Sequence, residues 1–279
     1  MKIWLIWLIV LGLTFFPDDA LAGSKIIATG GATTIEGNAG GGIVPWAVIN
    51  GYASSNEWSL SAFGSRVGVN DFSLHSGGVA VSYDNNWEFS YVRQRFALET
   101  IGGSLSQDIF SVKYHLAGEL LYTALPQISV GVQHKRNLDF GLPQAVGAHS
   151  DHGTDFYLAA SKVLFHQVAG RNLLLNGTIR ATKANQTGLL GFGSATDNNY
   201  DLMFEGSAAV LLNYNLAVGI EYKQKPDKLA FAAEQHWRDI FVAWFINKNV
   251  SVTAAYVDLG NIAGQGSQTG YYLALEATW

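Results

Sequence analysis

From residue 57 to the C-terminus, apolar and polar positions partly alternate in units of ten to thirteen residues, each closed by a break. Twelve units are counted, at 57–67, 71–83, 87–97, 107–117, 126–137, 154–166, 172–183, 200–212, 215–225, 236–246, 249–258 and 268–279. A tilted membrane-crossing strand needs about 9–11 residues, whereas strands of soluble sheets average about 5–6. The unit length therefore predicts membrane-crossing strands. Short breaks at Asp84-Asn85-Asn86, Ala169-Gly170-Arg171, Asn213-Tyr214-Asn215 and Asn247-Lys248-Asn249 carry the residues that tight hairpins need. Between them lie longer connections at 98–106, 138–153, 184–199, 226–235 and 259–267, the rhythm of short periplasmic turns and longer external loops. Two connections depart from it: 117–125 is long for an inner turn, and Val69-Asn70 is short for an outer loop.

Period two gives each strand two faces. Trp87, Phe89 and Tyr91 oppose Glu88, Ser90 and Gln94; Phe110, Val112 and Tyr114 oppose Ser111, Lys113 and His115. Ile128, Val130 and Val132 oppose Gln127, Ser129, Gln133 and Lys135, and the same holds for Leu175 and Ile179 against Asn176, Thr178 and Arg180. Val218, Ile220 and Tyr222 oppose Glu221 and Lys223. The apolar set is expected to face lipid and the small, polar set the interior. Segments 154–166 and 236–246 are apolar on both faces, so the pattern does not orient them. Lipid leaves no room for an unpaired strand edge, so the sheet must close. The prediction is an all-β chain: a closed antiparallel transmembrane β-barrel of 12 strands over residues 57–279. A soluble barrel with the apolar set inside is the competing fold.

The last strand alternates Tyr271, Leu273, Leu275, Ala277 and Trp279 to the final residue. The run Gln268-x-Gly270-x-x-Leu273-x-Leu275, ending at Trp279, resembles the terminal-strand signal read by the outer-membrane barrel-assembly machinery. That resemblance implies the machinery as a partner in biogenesis. Residues 23–56 do not fit the barrel rhythm. Gly30 to Gly42 is too glycine-rich for a lipid-facing strand, Pro45 has no N–H for a ladder, and a thirteenth strand would break the even count of bacterial barrels. The segment is predicted to lie in or under the lumen, as a plug built on Glu36, Gly40, Gly41, Gly42, Pro45 and Trp46, or to hang as a periplasmic tail.

Three stretches carry a further resemblance: Glu36-Gly37-x-x-Gly40-Gly41-Gly42-x-x-Pro45-Trp46-Ala47, Arg93-Gln94-Arg95-Phe96 and Pro126-Gln127-Ile128-x-x-Gly131-x-Gln133. Together they resemble an uncharacterised family of proteobacterial outer-membrane proteins, catalogued only as a domain of unknown function. The resemblance implies an outer-membrane barrel over nearly the whole mature chain, and no substrate, cofactor or catalytic residue.

Composition agrees with the pattern. The chain has 8 Trp, 12 Tyr, 15 Phe and 31 Gly but only 14% charged residues, against about 25% in a soluble domain. Cysteine is absent, which removes a disulfide framework. Met1-Lys2, the uncharged run Ile3 to Phe16 and the exit Ala20-Leu21-Ala22 read as a secretory signal peptide over residues 1–22. Its removal turns the net charge of −5 into −4, too mild to imply nucleic acid. The mature chain is thus placed in the outer membrane of a Gram-negative bacterium, in contact with outer-membrane lipid and lipopolysaccharide.

Candidate chemistry is sparse. Glu88, Lys113, Lys135, Arg180, Glu221 and Lys223 are the expected lumen charges, suited to a small polar solute or to ion pairs that fill a narrow barrel. Arg93 and Arg95 continue an outward face toward the rim, where their forked donors suit lipopolysaccharide phosphates. His149, Ser150, Asp151, His152 and Asp155 form the one His/Asp cluster, but no third histidine lies close for a metal site. The adjacent pairs His75-Ser76 and His149-Ser150 do not make a hydrolase motif. Neither an enzyme nor a cofactor is expected. The leading expectation is a porin-like channel for small solutes narrowed by residues 23–56; a non-conducting structural barrel and a wall-mounted lipid hydrolase are the alternatives.

Overall fold

A computed structural model describes Lys25 and residues 27–279; the signal-peptide reading of residues 1–22 lies outside the described residues. The wall begins with β1 (Trp58–Val69), β2 (Phe72–Tyr83), β3 (Trp87–Leu98) and β4 (Ser104–Ala117). It continues through β5 (Gln127–Asn137), β6 (His152–Val168), β7 (Arg171–Thr182) and β8 (Asp201–Leu211). Last come β9 (Leu216–Lys223), β10 (Trp237–Phe245), β11 (Val250–Ile262) and β12 (Gln265–Thr278). Each strand pairs antiparallel with the next, and β12 pairs with β1 from Gly270↔Val69 to Thr278↔Ser61, closing a 12-stranded barrel. Beyond that register, the Trp279 N–H donates to the Leu60 carbonyl at 2.7 Å, and the Trp279 carbonyl accepts from the Leu60 N–H at 2.8 Å.

The alternation sorts as the lipid requires. Trp87, Phe89, Phe110, Val132, Ile179, Ile220, Leu273 and Leu275 are exposed on the outside, and a closed ladder with an apolar exterior is the construction of an outer-membrane barrel. The two strands that the pattern left unoriented are apolar on both faces for different reasons. In β10, Ile240, Val242 and Trp244 face lipid, while Trp237, Phe241 and Phe245 are buried inside; in β6, Phe156 and Leu158 face out, and Tyr157 and Val163 face in.

Three expectations are corrected. Residues 259–267 are not a loop: β11 and β12 run on to a tight turn at Ala263-Gly264, both at positive φ, with a register shift between Asp258 and Asn261. The glycine-rich external connection is not a free loop either, since residues 185–194 are buried in the outer mouth. Its glycines serve local turns: Gly188, Gly191 and Gly193 all have positive φ. Third, the interior is not polar throughout. Phe72, Leu74, Phe96 and Leu259 line it toward the outside, and Leu174, Ala209, Phe241 and Phe245 toward the periplasm. Those surfaces pack against protein rather than water, so apolar side chains suit them.

Inside the wall, aromatic rings lie over glycines on the facing strand. Phe63 opposes Gly78, Tyr157 opposes Gly131 and Phe241 opposes Gly219. A Cβ on Gly131 would lie 2.0 Å from the Tyr157 ring, and one on Gly219 2.6 Å from the Phe241 ring. Each glycine gives up a side chain so that a ring can cover its backbone, the pairing known as aromatic rescue. Gly131→Val is expected to cost about 1–3 kcal/mol through overpacking, read as a lowered urea midpoint of the heat-modifiable band; an unchanged midpoint would refute this packing role.

Candidate functional site

Residues 32–53 lie inside the barrel, every one of them buried. The segment is a knot of turns rather than a strand. Ala32–Thr33 pairs with Ala39–Gly40, Ile35 N–H donates to the Gly42 carbonyl at 2.9 Å, and Trp46 N–H to the Ala39 carbonyl at 2.9 Å. The glycines permit two close approaches. A Cβ on Gly40 would lie 2.1 Å from the Val44 carbonyl oxygen, and one on Gly41 2.4 Å from Glu221 Oε1. Gly42 passes Tyr272 of β12, while the Pro45 carbonyl accepts from the Thr178 hydroxyl at 2.8 Å.

The wall meets this segment with charge. Glu36 accepts Lys135 Nζ of β5 at 2.5 Å, Lys223 Nζ of β9 at 2.8 Å and Arg180 Nη2 of β7 at 3.3 Å. The same cations reach two wall carboxylates: Asp155 stands 2.8 Å from Lys135 and 3.4 Å from Arg180, and Glu205 2.5 Å from Arg180. A second centre joins Glu88 and Lys113 at 3.1 Å, both wholly buried. Glu88 also accepts the Asn50 N–H at 2.8 Å and the Ala39 N–H at 3.2 Å, while Lys113 donates to the Val48 carbonyl at 2.9 Å. A third is Glu221, which accepts the Ile43 N–H at 2.8 Å and the Ser207 hydroxyl at 2.7 Å; the Trp46 indole N–H donates to that same Ser207 oxygen at 2.8 Å. All six wall residues named from the sequence thus lie inside, each touching the inner segment.

Other partners were not singled out from the sequence. Gln94 donates to the Ile35 carbonyl at 2.6 Å, and Gln133 to the Asn38 side chain. Four contacts gather at the seam where the barrel closes. Tyr272 hydroxyl donates to the Thr33 carbonyl at 3.1 Å, Asn50 Nδ2 to Glu276 at 3.1 Å, Tyr52 N–H to Ser59 Oγ at 3.4 Å, and Ser59 Oγ to the Trp279 carbonyl at 3.0 Å. The period-two pattern carried a signal for Tyr272 and Glu276, which fall opposite Leu273 and Leu275. Asp155 had been grouped with the His149 loop, yet its side chain turns into the barrel while His152 stays exposed. His75 and Ser76 point to opposite faces, and no group of three metal-ligating side chains occurs among the described residues.

Both mouths are covered. On the outer side, Thr187 O accepts from Lys135 at 3.2 Å and Leu189 O from Asn137 at 2.7 Å. On the periplasmic side the long turn folds back, with Val163 N–H donating to the Leu120 carbonyl at 2.9 Å. Between that turn, Trp46 and the wall lies an apolar cavity of about 110 Å³, bounded by Leu120, Leu174, Ala209, Phe241 and Phe245.

On the exterior, Arg93 pairs with Asp108 at 2.6 Å and Arg95 Nε donates to Ser104 at 3.3 Å. The ladder sets Arg66, His75 and Arg95 abreast on β1 to β3, and Arg93, Asp108 and Arg136 abreast on β3 to β5. In the terminal strand Leu273 and Leu275 face outward, and a Cβ on Gly270 would lie 1.9 Å from the Gly68 carbonyl oxygen.

A family model described as "Protein of unknown function (DUF3034)" matches residues 29–276. No curated protein sequence matches the chain. Among solved structures, the KdgM porin is 11% identical, with 79% of this chain and 99% of that chain covered at a TM-score of 0.48. The outer membrane protein Omp33 of Acinetobacter baumannii is 12% identical, with 81% and 99% covered at 0.44. The COG4313 outer membrane channel from Pseudomonas putida F1 is 11% identical, with 81% and 96% covered at 0.44. At such identities no function carries across.

Glu36 belongs to no membrane-spanning strand. Burial alone would push its carboxyl up, but Lys135, Lys223 and Arg180 hold it well below the usual carboxylate range. A carboxyl with a lower pKa folded than unfolded stabilises the fold above its unfolded value, about 4.3 for Glu, and loses that contribution as pH falls through the folded value. Amide protection of residues 35–46 is therefore expected to hold from pH 7 to about 5 and to fall only below about pH 4; loss between pH 7 and 5 would contradict it.

Proposed function

We propose that this chain, which belongs to the family of proteins of unknown function DUF3034, is an outer-membrane channel for small polar solutes, closed by residues 27–56 acting as its plug. One observation carries the reading: the plug is fastened to the inside of the wall by ion pairs and hydrogen bonds, through Glu36, Asn38, Ile43 and Asn50. Buried ion pairs add little net stability over well-packed apolar residues, so a barrel that only needed a filled interior has no use for them. A charged, hydrogen-bonding contact can instead exchange its partners for water when the plug shifts, which leaves Glu88, Lys113, Lys135, Arg180, Glu221 and Lys223 lining a wet passage. Residues 23–56 and 57–279 are on this reading the gate and the pore.

The cysteine-free chain offers a direct test. Ala47 N–H donates to Ser161 Oγ of β6 at 2.8 Å, so the pair Ala47→Cys and Ser161→Cys can staple plug to wall. In planar bilayers the reduced double variant is expected to show gated single-channel currents, and the oxidised one none. Equal currents in both states would remove the gate, and silence in both states and in the parent would make the barrel non-conducting.

An exterior feature supports a lipid partner. The bases Arg66, His75, Arg95, Arg93 and Arg136 share the outer face near the external rim, where guanidinium groups suit phosphates bidentately. We propose that Arg93 and Arg95 contact lipopolysaccharide there, while Gly270, Leu273, Leu275 and Trp279 serve recognition by the assembly machinery. Arg66→Gln with Arg95→Gln is expected to weaken co-purification of lipopolysaccharide several-fold without altering heat-modifiable migration; unchanged lipopolysaccharide would count against the contact.

A further inference from the structure

Glu36 is the single charged side chain between residues 27 and 56. In a segment otherwise made of glycine, apolar and neutral polar residues, it stands where cations from three different strands converge. The wall has arranged Lys135, Arg180 and Lys223 around one position, and its own carboxylates there, Asp155 and Glu205, leave one positive charge unmatched. Both Glu36 oxygens are used, Oε1 by Lys135 and Oε2 by Lys223 and Arg180. Arg180 is itself braced by Glu205 through Nε and by Gln133 through Nη1, each at 2.5 Å, so its fork is oriented independently of Glu36. These are the elements of a carboxylate receptor: converging charge, directed donors and a wall that fixes them.

We propose that Lys135, Arg180 and Lys223 form a carboxylate-binding site of the channel, and that Glu36 occupies it in place of the carboxylate of a small organic acid. The inference rests on the channel reading and names its solute class. The plug closes the pore by presenting a covalently tethered copy of the solute's own headgroup. Tethering makes Glu36 effective at millimolar or higher local concentration, so a free acid displaces it only when abundant or when its remainder gains contacts of its own. Above the site stand Ala184, Thr187, Gln224, Lys225 and Pro226, so such an acid reaches it from the outer side only once the covering residues 185–194 part.

Propionate, the glutamate side chain freed of its backbone, is the probe. Equilibrium dialysis of labelled propionate against the refolded full-length protein in detergent is expected to show saturable binding to Glu36→Gln at least tenfold tighter than to the parent. Lys223→Gln added to that variant should abolish most of the gain. Binding to Glu36→Gln no tighter than to the parent, or unaffected by Lys223→Gln, overturns the proposal. A second measurement needs no variant: in the parent, propionate should speed amide exchange of residues 35–46 beyond chloride at equal ionic strength, and identical exchange also overturns it. Conductance is read separately. Tight propionate binding by a barrel that never conducts upholds the site and removes the channel; a conducting barrel without propionate binding does the reverse.

Discussion

A hydrocarbon layer offers no partner to a backbone N–H or C=O, and this single constraint organises the molecule. It forces β12 back onto β1, and it fixes which side chains of each strand meet lipid. Closure also creates a sheltered interior, where a polar group must find its partner within the protein. Twelve strands enclose more space than their own side chains fill, and the inner segment takes up the remainder. Its backbone amides then need acceptors, which is why Glu88 and Glu221 turn their oxygens to the N–H groups of Ala39, Ile43 and Asn50.

The interior is zoned as a result. Where the wall meets the covering loops, at the outer mouth and at the periplasmic turn, it presents Phe72, Phe96, Leu174 and Phe241 and excludes water. Against the inner segment it presents Glu88, Lys113, Lys135, Arg180, Glu221 and Lys223, each satisfied by that segment. The apolar surfaces help keep these charges dry while the segment is seated, and a dry setting strengthens each ion pair.

Much of the wall was legible because the strand signal is local and repeated. Period two held over most of the units, and Asn, Asp and Gly marked the short turns. Legibility failed where a second demand hid the first. In β10, Phe241 and Phe245 face the interior cavity while Ile240 and Trp244 face lipid, so nothing alternates. Residues 259–267 read as a loop because Gly260, Gly264 and Gly266 mask two strands that continue past the membrane. The charged residues of the wall were found from their face alone, but what they bind was not. Glu36 lies 99 residues from Lys135 and 187 from Lys223, and only the closed topology brings them together.

The seam between the first and last strands bears on how such a molecule is made. Thr33, Asn50 and Tyr52 hold Tyr272 and Glu276 of β12 and Ser59 of β1, so the inner segment bonds to both margins of the sheet at the place where they meet. A cylinder already sealed, with Leu189 and Leu190 across one opening and Leu120 across the other, has no entrance wide enough for a folded knot of turns. The inner segment must therefore be in position while the sheet is still an open trough, and the last strand completes its ladder around it. Biogenesis then handles a wrapped object rather than an empty tube, and a segment that precedes the wall in the chain becomes the form on which the last strand is closed.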